Sequence, residues 1–128
     1  MTASEKCAKI LIVEDDSDTL VLIRHFLKDT GCEIITSRRG DEAYQLVLDM
    51  QPDLAIIDGL IPGIHGFELC RKIKNDPGIT NKPKVMLMSS VYTGQKYKFE
   101  VAEFEADAFM LKPFSKNALL SMVTALLK

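Results

Sequence analysis

Residues 10–16 read ILIVEDD, four apolar side chains followed directly by Glu14, Asp15 and Asp16. Two unit charges about 4 Å apart repel by roughly 4 kcal/mol at an effective dielectric near 20. Such a cluster either splays into water or gathers around something positive. Three more apolar runs end in polar groups. LAII runs into Asp58 and then the Gly/Pro-rich GLIPG; VMLM ends in Ser89 and Ser90; AFML ends in Lys112 and Pro113. Each reads blandly alone, because Asp and Ser often cap helices and turns. Together they supply a carboxylate cluster, an isolated carboxylate, a hydroxyl and an ammonium, which one pocket could combine.

The elements that must position them follow from the apolar pattern. Short runs with little polar alternation predict strands covered on both faces at Lys9–Val13, Cys32–Ser37, Leu54–Asp58, Val85–Ser89 and Ala108–Leu111. Helical spacing lies between them. Leu20, Ile23 and Leu27 share one face, closed by Gly31; Ala43, Val47 and Met50 share another, before Pro52. Phe67, Cys70 and Ile73 mark a third helix, and Leu119, Met122, Val123 and Leu126 mark the last, with Ser115 as its N-cap. A fourth helix, Gln95–Ala106, is poorly phased. Five β-α units in succession require right-handed crossovers and a parallel sheet, so the expected fold is a single doubly wound α/β domain spanning residues 1–128. In such a sheet, functional groups collect beyond the carboxyl ends of the strands. Glu14–Asp16, Asp58, Ser89 and Lys112 all fall at that edge.

Composition removes several function classes. Sixteen basic against eighteen acidic residues give no electrostatic footprint for nucleic acid. No apolar run approaches the roughly 20 residues needed to span a bilayer, and the first residues lack a secretory apolar core. The expectation is a cytoplasmic protein without membrane or direct nucleic-acid contact. Cys7, Cys32 and Cys70 form neither a C-x-x-C motif nor a ligand pattern with His25 and His65, and read as idle thiols.

The ordered set ILIVEDD, LAIIDGLIPG, MLMSS and FMLKPF resembles the receiver domain of bacterial two-component response regulators, the CheY-like superfamily, over nearly the whole chain. The resemblance implies a flavodoxin-like five-stranded sheet of order 2-1-3-4-5. It implies that Asp58 is the phosphoacceptor, taking a phosphoryl group from the phosphohistidine of a sensor histidine kinase or phosphotransfer protein. Glu14 and Asp15, with Asp58 and the Leu60 backbone carbonyl, would hold magnesium or manganese. Ser89 and Lys112 would contact the phosphoryl group, as would backbone amides near Leu60 and Ser90. The Lys112–Pro113 bond would be cis. Asp16 is one carboxylate too many for the site and reads as a cap for a helix starting near Ser17 or Asp18.

The same resemblance implies a switch. Ser89 would move toward the phosphoryl group, drawing the loop from Ser90 to Gly94, and Phe109 would rotate inward. The fourth helix, fifth strand and fifth helix would then present a changed face to a downstream partner or output domain, or to a second copy in a phosphorylation-dependent homodimer. The chain would assist its own phosphorylation and dephosphorylation without being a turnover enzyme. Three departures from the family pattern stand out: Ser89 in place of the commoner Thr, Ile61 before Pro62, and Glu105 where Gly is frequent.

Two other readings remain open on the residues. A haloacid-dehalogenase-type phosphatase also uses a strand-end aspartate, magnesium and a lysine, but needs a second Asp two residues on, where this chain has Leu60. A phosphorylation-independent docking module would keep the fold alone, with no use for the set Glu14, Asp15, Asp58, Ser89 and Lys112. Nucleotide binding lacks a glycine-rich phosphate motif.

Overall fold

The computed structural model describes residues 8–89 and 105–128. The expectations for Cys7, Ser90, the loop to Gly94, the helix from Gln95 up to residue 104, and the Tyr/Lys-rich stretch 91–100 lie outside the described residues.

Five strands form one parallel sheet: β1 (Lys9–Val13), β2 (Glu33–Ser37), β3 (Leu54–Asp58), β4 (Lys84–Ser89) and β5 (Ala108–Leu111), in the order β2-β1-β3-β4-β5. Four α-helices are described: α1 (Ser17–Leu27), α2 (Gly40–Met50), α3 (Gly66–Asn75) and a C-terminal helix (Lys116–Leu126). This is the flavodoxin-like order that the family resemblance implies.

Strand periodicity divides the core into two layers. Leu11, Val13, Ala55, Ile57, Val85 and Leu87 point to one side, where Ala43 and Val47 of α2 and Leu69, Cys70 and Ile73 of α3 cover them. Ile10, Ile12, Leu54, Ile56, Met86 and Met88 point to the other, against Ile23 and Leu27 of α1 and Leu119 and Val123 of the C-terminal helix. Both faces being buried explains why the strand runs are apolar throughout rather than alternating.

Element ends follow local hydrogen bonds. The Asp16 side chain caps α1, accepting from the Thr19 N–H at 3.0 Å and from the Thr19 hydroxyl at 2.6 Å. Ser115 caps the C-terminal helix through the Ala118 N–H at 3.0 Å. A 3-10 turn, Lys28–Thr30, intervenes between α1 and Gly31, whose φ of 79° takes the left-handed conformation that glycine adopts freely. Strand β2 begins one residue later than the apolar run predicts. The Cys32 N–H donates to Thr30 Oγ1, and the first inter-strand bond is from the Glu33 N–H to the Ala8 carbonyl. Strand β4 begins one residue earlier, because the Lys84 N–H reaches the Asp53 carbonyl.

Glu105 has a φ of 62°, the left-handed geometry for which glycine is the low-cost residue. Its carboxylate accepts from Asn75 Nδ2 at 2.6 Å, so the side chain that glycine would lack is used to tie this corner to α3.

Candidate functional site: a carboxylate–ammonium pocket at the strand ends

The parallel register sets the carboxyl ends of β1, β3, β4 and β5 along one edge, with Asp58 paired to Met88 and Ser89 to Leu111. Glu14 follows β1 and continues the phase of Ile10 and Ile12. Asp58 closes β3 in the phase of Leu54 and Ile56, and Lys112 follows β5 in the phase of Ala108 and Met110. Three side chains distant in sequence therefore leave the sheet toward the same layer.

They meet there. Lys112 Nζ donates to Glu14 Oε1 at 2.5 Å and to Asp58 Oδ2 at 3.1 Å. The other oxygen of Asp58 accepts the Leu60 N–H at 3.0 Å, and Glu14 Oε2 accepts the Asp16 N–H at 3.2 Å. Glu14 is 1% exposed and Asp58 8%. Burial raises the Glu14 carboxyl pKa above its ordinary value, and the neighbouring Asp58 carboxyl pushes it further the same way, with Lys112 opposing. For Lys112, burial alone would depress the ammonium, but the bonds to Glu14 and Asp58 outweigh it and hold its pKa above the usual lysine value. The ammonium stays charged at neutral pH.

Backbone geometry makes room for this arrangement. The Gly59 N–H donates to the Met88 carbonyl at 2.9 Å and its own carbonyl accepts from the Gly66 N–H at 3.1 Å, which folds the chain back beneath Asp58. A Cβ on Gly66 would sit 1.9 Å from the Asp58 carbonyl oxygen, so only glycine fits. The Lys112–Pro113 peptide is cis, as the resemblance implies, and the Lys112 N–H donates to the Ser89 carbonyl at 3.0 Å.

Glu14, Asp15, Asp58, Leu60 and Lys112 line one open pocket. Asp16 also borders it, although its side chain is committed to capping α1. Ser89 is buried at the end of β4, 2% exposed, and is not among the lining residues. Phe109 is half-buried on β5 and packs against the layer under α2 and α3. Ser90 lies outside the described residues. Arg38, which no motif singles out, also borders the pocket and donates through Nη2 to the Asp15 carbonyl at 2.8 Å.

Among the described residues no three His, Cys, Asp or Glu side chains converge as a preassembled metal-ligand group. Glu14 and Asp58 instead direct one oxygen each at the Lys112 ammonium. The donor set itself still fits a hard divalent cation: it is all oxygen, carries several carboxylates around one solvent-open pocket, and includes a buried acid that needs positive charge nearby.

The strand order and this pocket define a class, the doubly wound α/β domain with an acidic pocket at the strand ends. Residues 10–124 match the family model described as the response regulator receiver domain, so the chain belongs to that family. It is 36% identical over 94% of its length to the phosphate regulon transcriptional regulatory protein PhoB of Rhizobium meliloti, and 29% identical over 91% to the protein PilG of Pseudomonas aeruginosa. The chain spans 52% of PhoB and 85% of PilG, and about half of most of the other curated relatives it matches. In structure it resembles the beryllofluoride-activated N-terminal receiver domain of Klebsiella pneumoniae RstA, with a TM-score of 0.83 and 27% identity over 94% of this chain and 98% of that one. No described helix is long and apolar enough to cross a membrane.

Proposed function

We propose that this chain is a phosphorylation-dependent signalling switch in which Asp58 accepts a phosphoryl group. The observation that carries this reading is the Lys112 ammonium bonded to both Asp58 and Glu14 at the mouth of an acidic pocket. An Asp58 oxygen attacks phosphorus of a phosphohistidine, the P–N bond breaks, and the imidazole nitrogen leaves with the electron pair and takes a proton. Lys112 then offers its charge to a phosphoryl oxygen instead of a carboxylate oxygen, and the Leu60 N–H, already aimed at Asp58, lies beside the reacting group. Ser89 and the Ser90 amide complete the phosphoryl contacts.

Glu14, Asp15, Asp58 and the Leu60 carbonyl would hold magnesium or manganese. The cation's contribution is to cancel repulsion between Asp58 and the incoming anion. The donor is a sensor histidine kinase or phosphotransfer protein. The readout runs through Ser89 and Phe109 to a face of β5, the C-terminal helix and the fourth helix expected from the sequence, where an output domain, a protein partner or a second copy docks. Phosphorylation adds charge and acceptor oxygens beside Lys112, and this shifts a two-state face.

The phosphatase reading is weakened by Leu60, which lines the pocket where that chemistry needs a second acid and offers none. Intact-mass spectrometry after incubation with acetyl phosphate tests the proposal. One phosphoryl adduct is expected with magnesium, none after chelation, and none in Asp58→Ala. An adduct that survives in Asp58→Ala would overturn it.

A further inference from the structure

The pocket presents five carboxylates against two cations, Lys112 and Arg38. An incoming phosphoryl dianion therefore meets net negative charge even after one divalent cation is added. Lys112 is already committed to Glu14 and Asp58. Arg38 is not: although it borders an acidic pocket, its guanidinium forms no ion pair among the described residues. Its one described bond, from Nη2, goes to the backbone carbonyl of Asp15. That bond uses one of five N–H donors.

The base of this arginine is held firmly. The Glu14 N–H donates to the Ser37 carbonyl at 3.0 Å. Ser37 Oγ donates to the Arg39 carbonyl at 3.0 Å and accepts the Arg39 N–H at 3.3 Å. The turn after β2 is thus clipped to the turn after β1 at Ser37, and closed across Arg38 by the bonds between Ser37 and Arg39. A planar, permanently charged fork, anchored at one corner by a neutral carbonyl and with its other donors unbonded among the described residues, suits the oxygens of a phosphoryl group.

We propose that Arg38 is a donor-contacting residue, engaging the phosphoryl group of a small acyl phosphate or a phosphohistidine as it approaches Asp58. The inference rests on Asp58 being the phosphoacceptor. Arg38 draws the anion into a pocket whose carboxylates would otherwise repel it, and acts before transfer. With acetyl phosphate, the Asp58 oxygen–phosphorus bond forms as the bond from phosphorus to the acetyl oxygen breaks, and acetate leaves with the electron pair. Arg38 takes no part in either bond.

Initial rates of Asp58 modification, measured by intact mass at low acetyl phosphate and saturating magnesium, test this directly. Arg38→Ala is expected to slow modification about tenfold, and Arg38→Lys, which keeps the charge, to recover most of the loss. Raising ionic strength toward 1 M is expected to slow the native chain toward the Arg38→Ala rate, because an exposed cation is screened. The magnesium concentration for half-maximal rate should change less than twofold in Arg38→Ala. Equal rates in the native chain and Arg38→Ala overturn the inference, as does a loss explained by weaker magnesium binding alone. If the native chain itself takes no phosphoryl group, the phosphoacceptor reading has failed instead.

Discussion

Lys112 Nζ lies 3.1 Å from Asp58 Oδ2, joining residues 54 positions apart in the chain. The contact exists because β3 and β5 end at one edge and leave it in the same alternating phase. A strand slipped by one residue would turn its terminal side chain to the opposite layer. The site is therefore a statement about sheet register as much as about residue type.

Removing the ammonium should expose how far the buried acid depends on it. Lys112→Ala leaves Glu14, 1% exposed, without its charged donor. A destabilisation of about 1–3 kcal/mol is expected in urea unfolding without magnesium. Adding Glu14→Gln should return part of that loss, since a neutral amide tolerates the same place better. Strictly additive effects of the two substitutions would contradict the coupling.

The direction of the Glu14 shift predicts a pH trend. A carboxyl raised in the folded state by burial, and then by Asp58, binds its proton more tightly folded than unfolded. Its contribution to stability is therefore greatest below the ordinary carboxylate pKa and declines as pH rises from that value to the raised one. Lys112 stays protonated throughout that window, so it adds no slope there. Urea titrations from about pH 4 to about pH 8 should show the native chain losing stability relative to Glu14→Gln as pH rises. A difference that stays flat or grows would reverse the sign and refute it.

Gly66 should be intolerant of any side chain. A Cβ there meets the Asp58 carbonyl oxygen at 1.9 Å, and backbone must move to admit it. Gly66→Ala is expected to cost about 1–3 kcal/mol, as overpacking usually does, and to slow modification at Asp58 because the phosphoacceptor's own peptide shifts. Native stability and native modification rate in this variant would show that the close approach is unimportant.

Ser115→Ala offers a contrasting case, a cap whose bond involves none of the residues that line the pocket. Losing the bond to the Ala118 N–H should cost about 1 kcal/mol and lower Tm by a few degrees, leaving the Asp58 modification rate unchanged.

Cys70 should be inert in the folded chain. Burial pushes its thiol pKa up to about 12, and its side chain lies within the layer under α3. Peptide mapping after native iodoacetamide treatment near pH 8 should find Cys32, which is half-buried, modified well ahead of Cys70.

Much of this was legible in the residues because the chemistry sits where strands stop. ILIV and LAII are apolar on both faces, so Glu14 and Asp58 announce the strand ends by contrast, and Asp16 reads as a cap once the pair before it is spoken for. The lysine before Pro113 stood out as the ammonium at the end of AFML, while its role beside the phosphoryl group and the cis bond after it came through the family resemblance. Strand ends shifted by one residue at Cys32 and Lys84, where a threonine hydroxyl and an aspartate carbonyl decided the pairing and no apolar pattern records such bonds. Arg38 escaped notice because an arginine beside another arginine after a strand looks like solvated surface. Only the fold brings the turn after β2 against the turn after β1. The glycine demand at residue 66 is likewise invisible until the Asp58 carbonyl is placed beneath it.

The most direct test of the central claim is to locate the phosphoryl group chemically. After incubation with acetyl phosphate and magnesium, borohydride reduction converts an aspartyl phosphate to homoserine, which peptide mass spectrometry identifies at its position. Homoserine at residue 58, and nowhere else, is the predicted result. Homoserine at Asp15 or Asp16 with Asp58 intact, or none at all, would contradict the account.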